Sequence, residues 1–73
     1  MVKKLITKFI SGNMLCLRVE DPSREAAWTT LTNIGAKVSR CSILFGKFIV
    51  DGEIDDVGPV QIEQLERDGW EWK

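Results

Sequence analysis

The chain has no histidine and no tyrosine, only two cysteines and two prolines, and no long hydrophobic run. Each shortage excludes something. Without histidine, the usual proton carrier near neutral pH and the commonest metal ligand are both missing. Two cysteines alone cannot complete a four-ligand zinc site, so neither a metal nor any other cofactor is expected. No apolar stretch approaches the ~20 residues that a membrane span needs. The opening Met1-Val2-Lys3-Lys4 is followed by a stretch broken by Lys8, Ser11, Gly12 and Asn13, with no small-residue cleavage site after it. A cytoplasmic location is expected.

Catalytic groups are equally scarce. Ser11, Ser23, Ser39 and Ser42 have no histidine to activate them. Asp55, Asp56, Glu63, Glu66 and Asp68 lack the ligand spacing around a central glycine that a calcium loop requires. They read as a solvated acidic face. No carboxylate pair falls in an apolar setting that would raise a pKa for acid–base work, so an enzyme is not expected.

What the sequence does contain is enough apolar residue for one core. Seventy-three residues, 44% hydrophobic and 29% charged, predict a single domain over 1–73. Its net charge of −1 conceals a division. Residues 1–50 carry eight Lys or Arg against three acids, a net of +5. Residues 51–73 carry two against eight, a net of −6.

Leu5 to Ile10 and Met14 to Val19 are rich in β-formers, and Ser11-Gly12-Asn13 supplies a turn between them. In the second run Leu15, Leu17 and Val19 share one face, Cys16, Arg18 and Glu20 the other. Both cysteines lie in such strand-like runs, where a free thiol packs as a small hydrophobe; one disulfide is the alternative. Asp21-Pro22 predicts a helix start, with Asp21 as N-cap and Pro22 at the first helical position. Ala27, Leu31 and Ile34 recur at helical spacing with Trp28 alongside, and Gly35 is placed to end the helix. The outer set Thr29, Thr30, Thr32 and Asn33 is weakly helical, so packing must stabilise it.

Lys37 to Phe45 and Lys47 to Ile54 predict a second strand pair around Gly46. Pro59 opens a short helix with Ile62 and Leu65 as its stripe, stopped by Gly69. Trp70 and Trp72 would share a face of a brief last strand, both buried. The expected fold is α+β: a small antiparallel sheet in the order β-β-α-β-β-α, with a possible final strand, packed against helices.

Lys3, Lys4, Lys8, Arg18, Lys37, Arg40 and Lys47 could line a basic sheet surface with Phe9 exposed among them. Nucleic-acid modules combine cations and stacking rings in this way. The glycine-aromatic strand pattern of RNA recognition is missing, however, and the acidic tail would repel phosphate. Nucleic acid is therefore at most a secondary partner.

Residues 14–73 resemble, in pattern, the ferredoxin-like arrangement of subtilisin propeptides and related inhibitors. The likeness lies in Leu15-Cys16-Leu17-Arg18-Val19, the helix to Gly35-Ala36-Lys37-Val38, then Leu44 to Val50 and the helix ending Asp68-Gly69. It implies that Glu71, Trp72 and Lys73 enter a protease cleft. The additional N-terminal strand and the terminal Trp-Glu-Trp-Lys depart from that pattern. In size, split charge and exposed edge strands the chain is also similar to phage regulators that bind host RNA polymerase and act as inhibitors and anti-termination factors. That resemblance implies polymerase contact through the basic N-terminal strand.

The reading adopted from these residues is a monomeric, non-enzymatic protein-binding regulator of host transcription, with a subtilisin inhibitor as the alternative. Its expected contact surface is the first hairpin, with Lys3, Lys4, Lys8 and Arg18 steering and Leu5 and Ile6 at the contact.

Overall fold

The protein is described from a computed structural model, over residues 4–72. Strand β1 (Lys4–Ser11) turns into β2 (Met14–Asp21), followed by helix α1 (Arg24–Asn33). Strands β3 (Lys37–Leu44) and β4 (Lys47–Glu53), helix α2 (Pro59–Arg67) and strand β5 (Trp70–Trp72) complete the chain. The α+β architecture expected from the sequence is what forms, with the final strand present.

The five strands form one sheet in the order β3-β4-β2-β1-β5. Pairing is antiparallel throughout except at its far end, where β5 runs parallel to β1 with Lys4 opposite Trp70 and Ile6 opposite Trp72. The sheet is therefore mixed. From β2 onward the succession β-α-β-β-α-β is the ferredoxin-like one. Its two end strands, β2 and β5, are held apart by the added β1.

Both helices cover one face. Ile6, Leu17, Val19 and Val50 project from the strands into the same cluster as Ala27 and Leu31 of α1 and Leu65 of α2. Leu31, at the centre of the helix stripe, is fully buried as the spacing required. Gly52 lets α1 come this close: a Cβ there would stand 3.2 Å from both Ala36 Cβ and Leu31 Cδ1.

The helix starts differ from expectation in one case. Ser23 caps α1, its Oγ accepting from Ala26 N–H at 3.2 Å. Asp21 instead ends β2 and accepts the Ser23 N–H at 2.7 Å through its own carboxylate. Pro22 thus lies before the helix and not inside it. A serine oxygen reaches the orphan donors as well as an aspartate does, and nothing in Asp-Pro-Ser alone decides between them. Thr30 and Thr32 bond back to the carbonyls of Ala26 and Trp28, a habit of weak helix formers. In α2, Pro59 opens the helix as predicted, but Leu65 is its buried residue while Ile62 stays exposed. At the C-terminus Trp70 is buried at 3% exposure, whereas Trp72 is 37% exposed, so the two rings do not share a burial state.

Candidate protein-docking surface

Strand alternation divides the residues expected to form the contact. The register pairs Ile6 with Val19 and Lys8 with Leu17, and alternation puts Lys4, Ile6 and Lys8 on the helix-covered face. Leu5 and Arg18 lie on the other face. Ile6 is fully buried in the core and contributes no contact surface. Lys4 sits over the Trp70 ring, its Nζ 5.5 Å from the centroid. Lys8 is exposed, Leu5 is half-buried, and Lys3 lies outside the described residues. The proposed set is thus not one patch, because a period of two cannot put neighbouring residues on one side.

Arg18 has a structural partner. Its Nε and Nη2 donate to the two carboxylate oxygens of Asp51 at 2.8 and 3.1 Å. The guanidinium also lies 5.0 Å from the Phe9 centroid. Asp51 is buried beneath this pair. The hydrogen bond to Asp51 raises the Arg18 pKa above its ordinary value, with desolvation opposing. A raised pKa means the pair contributes fully below that ordinary value and is lost only in strong alkali, as pH rises through the folded pKa. Phe9 is therefore half-covered by Arg18 and is not a free stacking ring.

A cleft of about 450 Å³ opens beside α1, lined by residues that include Lys4, Thr29, Thr30, Asn33, Asp68 and Trp70. The buried Trp70 Nε1–H has no hydrogen-bond partner among the described residues. Nor do any three His, Cys, Asp or Glu side chains there gather closely enough to hold a metal. Cys16 and Cys41 are both free thiols, the first buried and the second exposed.

The β3–β4 hairpin is the region where folding leaves the most unexplained. Ile43, Leu44 and Phe45 are consecutive and exposed at 67%, 52% and 93%. Phe45 and Gly46 form the turn closed by the Leu44–Lys47 pair, and both have positive φ, 53° and 75°. That is the two-residue turn whose twist matches paired strands, and it normally takes Asn-Gly or Gly-Gly. A phenylalanine in the left-handed region costs roughly 1–2 kcal/mol. Here it covers no core in return. β3 is also an edge strand, exposed along almost its whole length. Its first half is protected by Lys37, Arg40 and an irregularity between Val38 and Arg40. Its second half, Cys41–Leu44, carries no charge, proline or bulge. Sequence reasoning overlooked this exposed tip by treating Phe45 as the end of a strand. The legible signal was Phe-Gly standing where a tight hairpin wants Asn-Gly.

No protein-family model, curated protein or solved structure matches this chain. Among the described residues, no helix is long and apolar enough to cross a membrane.

Proposed function

We propose that this chain is a non-enzymatic protein-binding regulator that docks through the tip of the β3–β4 hairpin. The observation that carries the reading is Phe45, an aromatic ring 93% exposed in a backbone conformation that disfavours it. Strain of this kind persists where something other than folding selects it. Large aromatics that gain a pocket on binding are frequent anchors of protein interfaces. Ile43 and Leu44 beside it, one on each face of the strand, leave the tip of the hairpin apolar on both sides.

For the partner we propose host RNA polymerase, on the strength of the resemblance in size and charge character to phage regulators of that enzyme. The regulator acts by occupying a polymerase surface. The inhibitor reading has less support, because Glu71 and Trp72 are paired with Leu5 and Ile6 in the sheet and do not form a free tail.

The test is titration of the labelled chain with purified bacterial RNA polymerase. Saturable binding is expected, weakened about tenfold or more by Phe45→Asn. No binding by the parent would remove the polymerase from the account. Equal binding by the variant would remove the hairpin tip.

A further inference from the structure

We infer that β3 accepts an additional strand, supplied by an extended apolar segment of the partner that is bordered by acidic residues. This rests on the docking role proposed for the hairpin, and it names the mode of contact and the chemistry of the occupant.

The backbone pattern comes first. In a hairpin with a two-residue turn, the residues closing the turn exchange hydrogen bonds, and bonded and non-bonded pairs then alternate. Leu44–Lys47 closes the turn, so Ser42–Ile49 is a bonded pair. Ile43–Phe48 and Cys41–Val50 are the non-bonded pairs. The N–H and C=O groups of Cys41 and Ile43 therefore point away from β4. Because β3 is the last strand on that side, they meet no further strand among the described residues. Lys37, the irregularity after Val38 and Arg40 blunt the edge only up to Arg40. Beyond it lies an uncharged template that ends in the Phe45 ring.

Charge selects the occupant. From Lys37 to Val50 the hairpin carries Lys37, Arg40 and Lys47 and no acidic residue; its two acids, Asp51 and Glu53, lie at the far end of β4, with Glu53 opposite Lys37. Asp51, the nearest acid opposite Arg40, already holds Arg18 with both oxygens. Among the described residues no ion pair engages Lys37, Arg40 or Lys47. A second copy pairing through its own β3 would add cations and no acid from that strand to this edge, which disfavours it. A partner strand with apolar residues opposite Cys41–Leu44 and acids at its ends would meet both features. Side chains on its two faces would lie beside Ile43 on one side and Leu44 on the other, since these alternate across the sheet.

Amide hydrogen exchange by NMR tests this with a defined probe. The probe is a short peptide of alternating valine and threonine between terminal aspartate pairs, and its twin carries lysines in their place. Saturating aspartate peptide should slow exchange at the Cys41 and Ile43 amides about tenfold. The lysine twin should not. Unchanged exchange at both amides, or equal protection by the twin, overturns the inference. Cys41→Pro and Ile43→Pro delete only outward N–H groups, which an edge strand tolerates. Each should weaken polymerase binding about tenfold relative to Cys41→Val and Ile43→Thr. If Phe45→Asn abolished polymerase binding while both proline variants bound like their controls, strand addition would fall and tip docking would stand. If Phe45→Asn bound normally, the docking role itself would fall.

Discussion

The two hairpins of this small domain are built from similar lengths of strand and both feed the core, but they differ in their outer strand and tip. In β1–β2 the left-handed turn position is taken by Gly12, with φ 65°, and the strands supply Ile6, Leu17 and Val19 to the core. Ile10 and Met14 reach water near its tip, but no strained residue accompanies them. In β3–β4 the equivalent position is taken by Phe45, and one of the two strands is nearly all exposed. The first hairpin obeys its local rules and stabilises the fold. The second violates one where nothing in the fold compensates. Local rules broken without internal compensation are expected at functional sites, and that difference is the ground for proposing the second hairpin as the docking surface.

The comparison can be broken most forcefully at one isoleucine of each hairpin, buried in the first and exposed in the second. Ile6→Ala removes a fully buried side chain and should cost ~2–5 kcal/mol, enough to unfold much of a domain this small. Ile43→Ala, by contrast, should change stability by no more than about 0.5 kcal/mol. Urea denaturation of the two variants side by side decides the matter. Comparable losses would mean that both hairpins serve the fold alike.

Next in size is the link between the hairpins. Arg18→Ala should destabilise by about 1–2 kcal/mol, because it leaves the Asp51 carboxylate buried without its partner. The figure sits at the low end because the Arg18 side chain is 43% exposed and partly screened. If Arg18 instead belonged to the interface, the same variant would keep its urea midpoint and lose only partner binding. A smaller effect, within about 0.5 kcal/mol, is expected for Lys8→Glu on stability. Polymerase binding by that variant should match the parent at moderate salt, and a severe loss would return the contact to the first hairpin.

Much of this architecture was legible in the chain. Period-two alternation in Leu15–Val19, helical spacing in Ala27, Leu31 and Ile34, and Gly35 and Gly69 as stops all mark real elements. The same alternation already separated Lys4, Ile6 and Lys8 from Leu5 and Arg18, and grouping them by charge overlooked it. Other features are non-local. The parallel pairing of Trp70–Trp72 with Lys4–Ile6 joins the two ends of the chain, and no local signal specifies it. That pairing buries Trp70 yet leaves Trp72 half in water at the rim. The bidentate Arg18–Asp51 contact likewise depends on which strand neighbours β2. Phe-Gly between two strand-like runs was a local hint of the turn, and the register, with Leu44 and Lys47 closing it, fixes Phe45 at its exposed tip.

The most direct test of the central claim measures two quantities on one variant, Phe45→Asn. Asparagine tolerates the left-handed turn position that phenylalanine resists, so the folded state should gain about 0.5–1 kcal/mol in urea denaturation. Binding to RNA polymerase should fall about tenfold or more in the same preparation. Stability and binding moving in opposite directions is the predicted result. A variant that is less stable than the parent, or that binds as tightly, would contradict the claim that Phe45 is kept for its partner and not for the fold.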